Sequence, residues 1–148
     1  MKTKTTFSLA TKSDKKSLMR FYKQQSYRAG LLGLDNAYLL KYSSDIIGTV
    51  IISTLLENSQ QSFLHALVIE RAFRKQTLAS QLLTFACTQH QHQEIFCFAD
   101  ETLNHFYLQN GFEKISEQQL PEPLLERFLR VKKAKRNLLA FTCKPLIL

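Results

Sequence analysis

The stretch RAFRKQTLASQLL, residues 71–83, places a basic turn directly before a helix-like pattern. A strand-like apolar run ends just before it, and apolar residues recur at helical spacing from Leu78 onward. The first N–H groups of a helix have no acceptor within the helix, and the positive end of the helix dipole lies there. Arg71, Arg74 and Lys75 add formal positive charge at the same end. The stretch is therefore suited to bind a phosphate or pyrophosphate group.

The rest of the sequence predicts the elements that position this stretch. A helix is expected to begin near Lys15, and three strand-like runs over residues 37–70 indicate an antiparallel meander. Strand, helix and strand over residues 63–99 predict a parallel pair joined by a right-handed crossover. A short helix ending at Gly111, then a strand, a helix and a final strand, complete the order. We therefore expect one α+β domain with a mixed sheet over residues 1–148.

The composition limits the classes of protein to which this chain can belong. It has 148 residues, of which 45% are hydrophobic and 22% charged, as in an ordinary globular domain. It holds no apolar run near the ~20 residues that a membrane helix needs, and no signal-peptide pattern. We therefore expect no membrane partner and a location in the cytoplasm. The 3 cysteines and 4 histidines lack metal-ligand spacing, so no metal site is expected.

The net charge of +8 favours polyanionic partners, whether nucleic acid, an acidic surface or a phosphate-rich cofactor. Much of this charge lies in residues 2–23 and in the run RFLRVKKAKR, residues 127–136. Each segment can also be a solvated helix face. Nucleic-acid binding by the second run has thin support, because Phe128 is its only aromatic residue. It stays a second alternative.

Two motifs resemble the GNAT superfamily of acetyl-coenzyme A-dependent N-acyltransferases. The segment LVIERAFRKQTLASQLL is similar to the family's acetyl-coenzyme A loop, in which a strand precedes Arg/Gln-x-x-Gly-x-Gly/Ala and a helix. In this register Arg74 takes the basic position, Ala79 is an accepted final residue, and Thr77 stands where the family usually has glycine. The segment NHFYLQNGFEKI resembles the family's pattern of aromatic-Tyr, helix end, Gly-Phe and strand.

This resemblance covers nearly the whole chain and implies a mostly antiparallel mixed sheet with helices on both faces. It also implies a splayed pair of parallel strands that holds acetyl-coenzyme A as co-substrate, with the pyrophosphate on backbone N–H groups near residues 75–80. The residues that it implies for binding acetyl-coenzyme A are Leu67, Val68, Ile69, Arg74, Lys75, Gln76, Thr77, Leu78, Ala79, Ser80, Asp100, Asn104 and Tyr107.

The implied activity is the transfer of an acetyl group to a primary amine, on a small molecule or a protein, by direct attack of the amine on the thioester. Tyr107 matches the tyrosine that often protonates the leaving thiolate, and a phenol with a pKa near 10 suits that task. It can also be simply a half-buried aromatic residue before the helix cap. A homodimer is one option for the assembly.

His65 is the candidate general base, because imidazole titrates near neutral pH. By strand parity its side chain is expected to share a face with those of Phe63, Leu67 and Ile69. His65 can equally be a histidine of the core with no catalytic role. Glu70 is the alternative base, although we expect it to pair with Arg71 or Arg74, and some family members use no dedicated base.

Two positions decide how well this chain can serve the implied function. Threonine at position 77 adds bulk but also a hydroxyl that can cap the helix or bond a phosphate, so coenzyme binding is expected to be weakened rather than abolished. This keeps a catalytically weak, coenzyme A-binding regulatory module as the first alternative. The resemblance implies that the acceptor lies near Tyr22, Tyr27, Arg28, Asp35 and the stretch 120–130, although these residues can equally be ordinary surface.

Overall fold

The computed structural model describes residues 4–27, 35–74 and 77–145, and within these ranges seven strands form one sheet in the order β1-β2-β3-β4-β5-β7-β6. The strands are β1 (Thr5–Leu9), β2 (Asp35–Tyr42), β3 (Asp45–Thr54), β4 (Gln61–Ile69), β5 (Glu94–Asp100), β6 (Glu113–Ile115) and β7 (Leu138–Cys143). The α-helices are α1 (Lys15–Gln24), α2 (Leu78–Thr88), α3 (Asn104–Gln109) and α4 (Glu122–Lys132).

The predicted α+β class with a mixed, mostly antiparallel sheet is confirmed. Helices cover both faces: α2 and α3 pack on one face of the sheet, and α1 and α4 pack on the other. The helical spacing that predicted α2 places Leu82, Leu83 and Ala86 in the core. Gly111 has φ +87° and ends α3 as expected. No helix in the described part of the chain is both long and apolar enough to cross a membrane.

The strands β4 and β5 form the predicted parallel pair and then separate. Their register runs from Gln61 opposite Glu94 to Leu64 opposite Cys97. Both strands continue beyond this point, β4 to Ile69 and β5 to Asp100. The facing edges of their last residues are therefore not joined by strand pairing, which confirms the splayed pair.

A β-bulge interrupts β4 in the same region. Ile51 lies opposite His65, but Thr49 lies opposite Val68, so β4 has one residue more than β3 between these pairs. Ala66 takes up the extra residue with φ +58°, in the left-handed region. A bulge of this kind is the feature that turns the last part of β4.

The bulge corrects the predicted face of His65. An inserted residue shifts the alternation of side chains by one position. Leu67 and Ile69 therefore pack with the core under α2, whereas Phe63 packs with α4. His65 stays with Phe63, and the two rings stack with centroids 5.2 Å apart. The expectation that His65 shares a face with Leu67 and Ile69 is wrong, and the expectation for Phe63 is confirmed.

Candidate active site

Two adjoining cavities lie at the splayed end of the sheet. The first, called the β4–α3 cavity, has a volume of about 440 Å³ and is lined by Gln25, Tyr27, Leu67, Val68, Ile69, Arg74, Ala79, Leu103, Phe106 and Tyr107. The second, called the splay cavity, has a volume of about 250 Å³ and lies between residues 64–67 of β4 and residues 98–100 of β5. Both cavities are lined by Tyr27, Leu67, Leu103 and Tyr107.

Thr77 occupies the N-cap position of α2 without backbone strain. Its φ of −76° and ψ of 14° are accessible to any residue, so this position does not require glycine. The Thr77 hydroxyl does not cap the helix but accepts a hydrogen bond of 3.0 Å from Gln81 Nε2. The predicted contacts Lys75 and Gln76 lie outside the described residues.

Arg74 ties the loop to the end of β4. Its Nε donates a hydrogen bond of 2.7 Å to the carbonyl oxygen of Ile69, and its side chain lines the β4–α3 cavity. The expected pairing of Glu70 with Arg71 or Arg74 is wrong, because no salt bridge joins these residues in the described structure. Arg74 therefore carries its positive charge to the cavity without a carboxylate partner at hand.

The first turn of α2 presents backbone rather than side chains to the cavity. Leu78 is 7% exposed and packs into the core, and the small Ala79 lines the β4–α3 cavity. Ser80 Oγ accepts a hydrogen bond of 3.2 Å from Asn110 Nδ2, which links α2 to the end of α3. The first N–H groups of a helix have no acceptor within the helix, so this turn is suited to an anion.

Tyr107 stands between the two cavities and is 4% exposed. Its ring stacks on Phe141 at 5.2 Å and meets Phe106 and Phe112 edge to face. Burial raises the pKa of the Tyr107 phenol well above its usual value near 10. The phenol therefore stays protonated at neutral pH, and it is a weaker acid than the free phenol whose pKa near 10 matches that of a thiolate.

Asp100 ends β5, and Asn104 begins α3. Asp100 is exposed and its Oδ2 accepts a hydrogen bond of 2.9 Å from the N–H of Thr102, which lowers the pKa of Asp100. Asn104 Oδ1 is buried and has no hydrogen-bond partner among the described residues. Asn104 is not among the residues that line either cavity.

His65 lines the splay cavity and is partly buried. Its Nε2 lies 2.8 Å from Ser53 Oγ. Burial and the charge of Arg127 lower the pKa of His65 to about 4, against a smaller opposite effect of Asp35. The imidazole is therefore uncharged at neutral pH and has one nitrogen lone pair with which to accept a proton, but it is a weaker base than the near-neutral imidazole expected from the sequence.

The tyrosines predicted for the acceptor site lie next to each other but differ in exposure. Tyr22 is 2% exposed, and its hydroxyl donates a hydrogen bond of 3.0 Å to the carbonyl oxygen of Ala66 at the bulge. Tyr27 is 41% exposed and lines both cavities, with its ring 5.6 Å from that of Tyr22. Arg28 lies outside the described residues.

Arg127, the first residue of the basic run 127–136, lies close to this site. The Arg127 guanidinium lies over the Phe63 ring, 5.0 Å from its centroid. Burial lowers the pKa of Arg127, and the charge of Arg130 adds to this effect. No salt bridge to Arg127 forms among the residues that the structure describes. Within the same residues, no group of three or more His, Cys, Asp or Glu side chains is placed to hold a metal ion.

Comparison with known proteins agrees with this fold. The family model of the acetyltransferase (GNAT) domain matches residues 9–123. No curated protein matches the sequence. Among solved structures, N-acetylglutamate synthase from Neisseria gonorrhoeae, complexed with coenzyme A and N-acetyl-glutamate, is 14% identical with a TM-score of 0.73. That match covers 99% of this chain but 36% of the synthase, so this chain spans about a third of the synthase's length.

Shorter proteins match over their full length. The ribosomal-protein-S18-alanine N-acetyltransferase from Escherichia coli is 9% identical, with a TM-score of 0.72 and coverage of 98% of this chain and 96% of that one. A GNAT family acetyltransferase from Elizabethkingia anophelis with acetyl-CoA bound is 13% identical, with a TM-score of 0.61 and coverage of 95% and 97%. Identities this low show a shared fold.

The fold is that of an acetyltransferase domain. Since the family model covers well over half of the sequence, the chain belongs to the acetyltransferase (GNAT) family. Acetyl-coenzyme A is accordingly its co-substrate.

Proposed function

We propose that this chain transfers the acetyl group of acetyl-coenzyme A to the nitrogen of a primary amine, on a small molecule or on a protein. One observation carries the proposal: the β4–α3 cavity and the splay cavity share Tyr27, Leu67 and Tyr107, so the start of α2 and His65 open onto adjoining spaces. Bound acetyl-coenzyme A supplies an activated thioester carbonyl. The chain has to hold it, orient the amine and move the protons.

The start of α2 fits the pyrophosphate. The N–H groups of residues 77–80 have no acceptor inside the helix, and the charge of Arg74 lies at the same end of the cavity. Lys75 and Gln76 remain predicted contacts. The end of β4, residues 67–69, lines the path from there to the splayed strands, and Asn104 remains a predicted contact. Asp100 remains a predicted contact at the end of β5.

Two side chains move the protons. Tyr107 is neutral and lies between the cavities, so it is assigned as the proton donor to the leaving thiolate. His65 is uncharged at neutral pH and faces the splay cavity, so it is assigned as the acceptor of the amine proton. Tyr27 is the exposed aromatic side chain nearest to both, and it is assigned to the acceptor site. The buried Tyr22 acts beneath it and supports the bulge.

An amine-panel assay tests the function. Purified protein is mixed with acetyl-coenzyme A and primary amines of different charge, and the free thiol released is measured alongside binding of acetyl-coenzyme A by calorimetry. Amine-dependent thiol release is expected. Binding of acetyl-coenzyme A without thiol release for any amine would favour the regulatory module. The absence of acetyl-coenzyme A binding would contradict the proposal. The nucleic-acid alternative requires an affinity for DNA or RNA that falls steeply with salt.

The acceptor is proposed to carry an anionic group, such as a carboxylate, near its amine. A partly buried guanidinium without a salt bridge is costly to desolvate, and an anion from a ligand offsets that cost. Arg127→Gln is therefore expected to raise the KM for acidic amines by about tenfold, with little change for neutral amines. The measurement is steady-state thiol release with amine pairs that differ only in a carboxylate.

Arg130→Gln is the matched control for Arg127, because Arg130 is on the same helix but exposed. Equal effects of both substitutions would show that the general positive field, and not Arg127, selects the acceptor. Equal KM changes for acidic and neutral amines would argue against an anionic acceptor.

Thr77→Gly is expected to leave the affinity for acetyl-coenzyme A unchanged or to raise it by a few fold. The backbone angles of Thr77 suit any residue, and the hydroxyl does not cap α2, so helix stability changes by a few tenths of a kcal/mol, which is about the cost of a weak cap. Calorimetric titration gives the affinity, and Thr77→Ser is the control that retains the hydroxyl. A large loss with glycine but not with serine would make the hydroxyl itself a phosphate ligand.

A further inference from the structure

The candidate base is the last of three polar side chains on neighbouring strands that are joined by hydrogen bonds. Asp35 lies on β2, Ser53 on β3 and His65 on β4. Ser53 Oγ lies 2.8 Å from His65 Nε2, and the Ser53 hydroxyl also bonds Asp35 Oδ1. Nothing in the acetyl-transfer proposal assigns a role to Ser53 or Asp35.

The register of the sheet holds these side chains together. Asp35 and Ser53 are direct cross-strand partners, and His65 lies opposite Ile51, two residues from Ser53 on the same face. Ser53 is 2% exposed, so water does not compete freely for its hydroxyl. The Phe63 ring stacks on the face of the His65 ring and holds it in place. Because the three side chains lie on paired strands and are packed in this way, their hydrogen-bonded network is rigid.

The chemistry of the three groups fixes the direction of each hydrogen bond. A carboxylate only accepts, so the single Ser53 hydroxyl proton is donated to Asp35. Ser53 Oγ then accepts from His65, so His65 Nε2 carries the ring proton. A neutral imidazole has one N–H, and Nδ1 is therefore left with its lone pair.

The geometry points to Ser53 and Asp35 as positioning residues that hold His65 in the Nε2–H tautomer and leave Nδ1 to accept the proton of the acceptor amine. This inference rests on the proposed acetyl transfer. As the amine nitrogen bonds to the carbonyl carbon, its N–H bond breaks, the electron pair stays on nitrogen and the proton binds Nδ1. The resulting imidazolium keeps its Nε2–H on Ser53 beside the Asp35 carboxylate, and its Nδ1 proton then passes to solvent.

The tautomer can be measured on the wild-type chain without any substitution. The ¹⁵N chemical shifts and ¹H–¹⁵N couplings of a histidine ring distinguish the protonated nitrogen from the bare one. We expect His65 at neutral pH to have a proton on Nε2 and none on Nδ1, with His65→Gln used to assign its signals. A proton on Nδ1 in the wild-type chain would overturn the inference.

Asp35→Asn separates the positioning effect from a loss of shape. The asparagine NH₂ can donate to Ser53, whose hydroxyl then donates to His65 Nε2 and moves the ring proton to Nδ1. We expect the tautomer to change and kcat to fall by about tenfold, with the KM for acetyl-coenzyme A unchanged. Ser53→Thr, which retains the hydroxyl, is expected to keep both the tautomer and most of the kcat, whereas Ser53→Ala loses both.

If Asp35→Asn changes the tautomer of His65 but leaves kcat unchanged, the positioning role is overturned. An absence of acetyl transfer by the wild-type chain, with any amine, would instead contradict the proposed function. The two failures are distinguishable, because the tautomer is read from the spectrum and not from turnover.

Discussion

Tyr107→Phe is expected to lower kcat by about 100-fold, within the range that a positioned general acid contributes. Phenylalanine keeps the ring and its contacts with Phe141, Phe106 and Phe112, so the shape of both cavities is retained. The affinity for acetyl-coenzyme A is expected to stay within about twofold, because the substitution removes one hydroxyl from an intact site. Single-turnover thiol release and calorimetric titration measure the two effects separately.

The buried Tyr38 provides a matched control for Tyr107. Its hydroxyl lies 2.6 Å from His90 Nε2, in the core beside α2 and away from the residues that line either cavity. Tyr38→Phe leaves that nitrogen unpaired and is expected to cost about 1–3 kcal/mol of unfolding free energy, with kcat unchanged. If Tyr107→Phe loses stability but retains turnover, the tyrosine is a packing residue and the acid assignment fails.

Much of the fold could be predicted because its signals are local. The apolar spacing in α2, the short polar turn between β2 and β3, and the left-handed Gly111 each lie within one segment of sequence. The edge strand β1 was missed because it is short, and the alternation of Phe7 and Leu9 with Ser8 is too brief a signal for a strand. Its order comes from pairing with β2, which the segment TTFSL does not reveal by itself.

The bulge in β4 was missed for a related reason. Ala66 has no feature that predicts a positive φ. Its carbonyl oxygen accepts a hydrogen bond from the hydroxyl of Tyr22 on α1, which is 44 residues earlier in the chain. Neither a glycine nor a proline marks the position. Since one inserted residue changes the face of every following side chain, the predicted neighbours of His65 were wrong although its strand was right.

The loop that we assign to the pyrophosphate and the hydrogen bonds at His65 differ in the same way. The charges and the helix start can be read in one stretch, so residues 71–83 indicated an anion site directly. Ser53 and Asp35 become partners of His65 only through the register of three strands. The register is a property of the folded sheet, and it could not be predicted from a single sequence.

Ser80→Asp is expected to weaken acetyl-coenzyme A binding by about 100-fold, since a carboxylate about 6 Å from a phosphate costs roughly 3 kcal/mol at the effective dielectric of a protein surface. Ser80 is the third residue of α2 and lies beside the N–H groups assigned to the pyrophosphate. The same aspartate interacts favourably with the helix dipole, so the unfolding free energy without ligand is expected to rise by about 0.5 kcal/mol. Calorimetric titration and thermal unfolding measure these two effects.

The opposite signs of the two effects make this substitution decisive for the α2 site. A damaged fold would lower both affinity and stability, whereas repulsion of a bound anion lowers affinity alone. Ser80→Asn has a similar shape without the charge, and it is expected to keep the affinity within a few fold, whether or not the bond from Asn110 persists. The loss with aspartate is also expected to shrink as salt is raised, because the repulsion is screened. Equal losses with asparagine and aspartate would mean that shape at position 80, and not the positive end of α2, governs coenzyme binding.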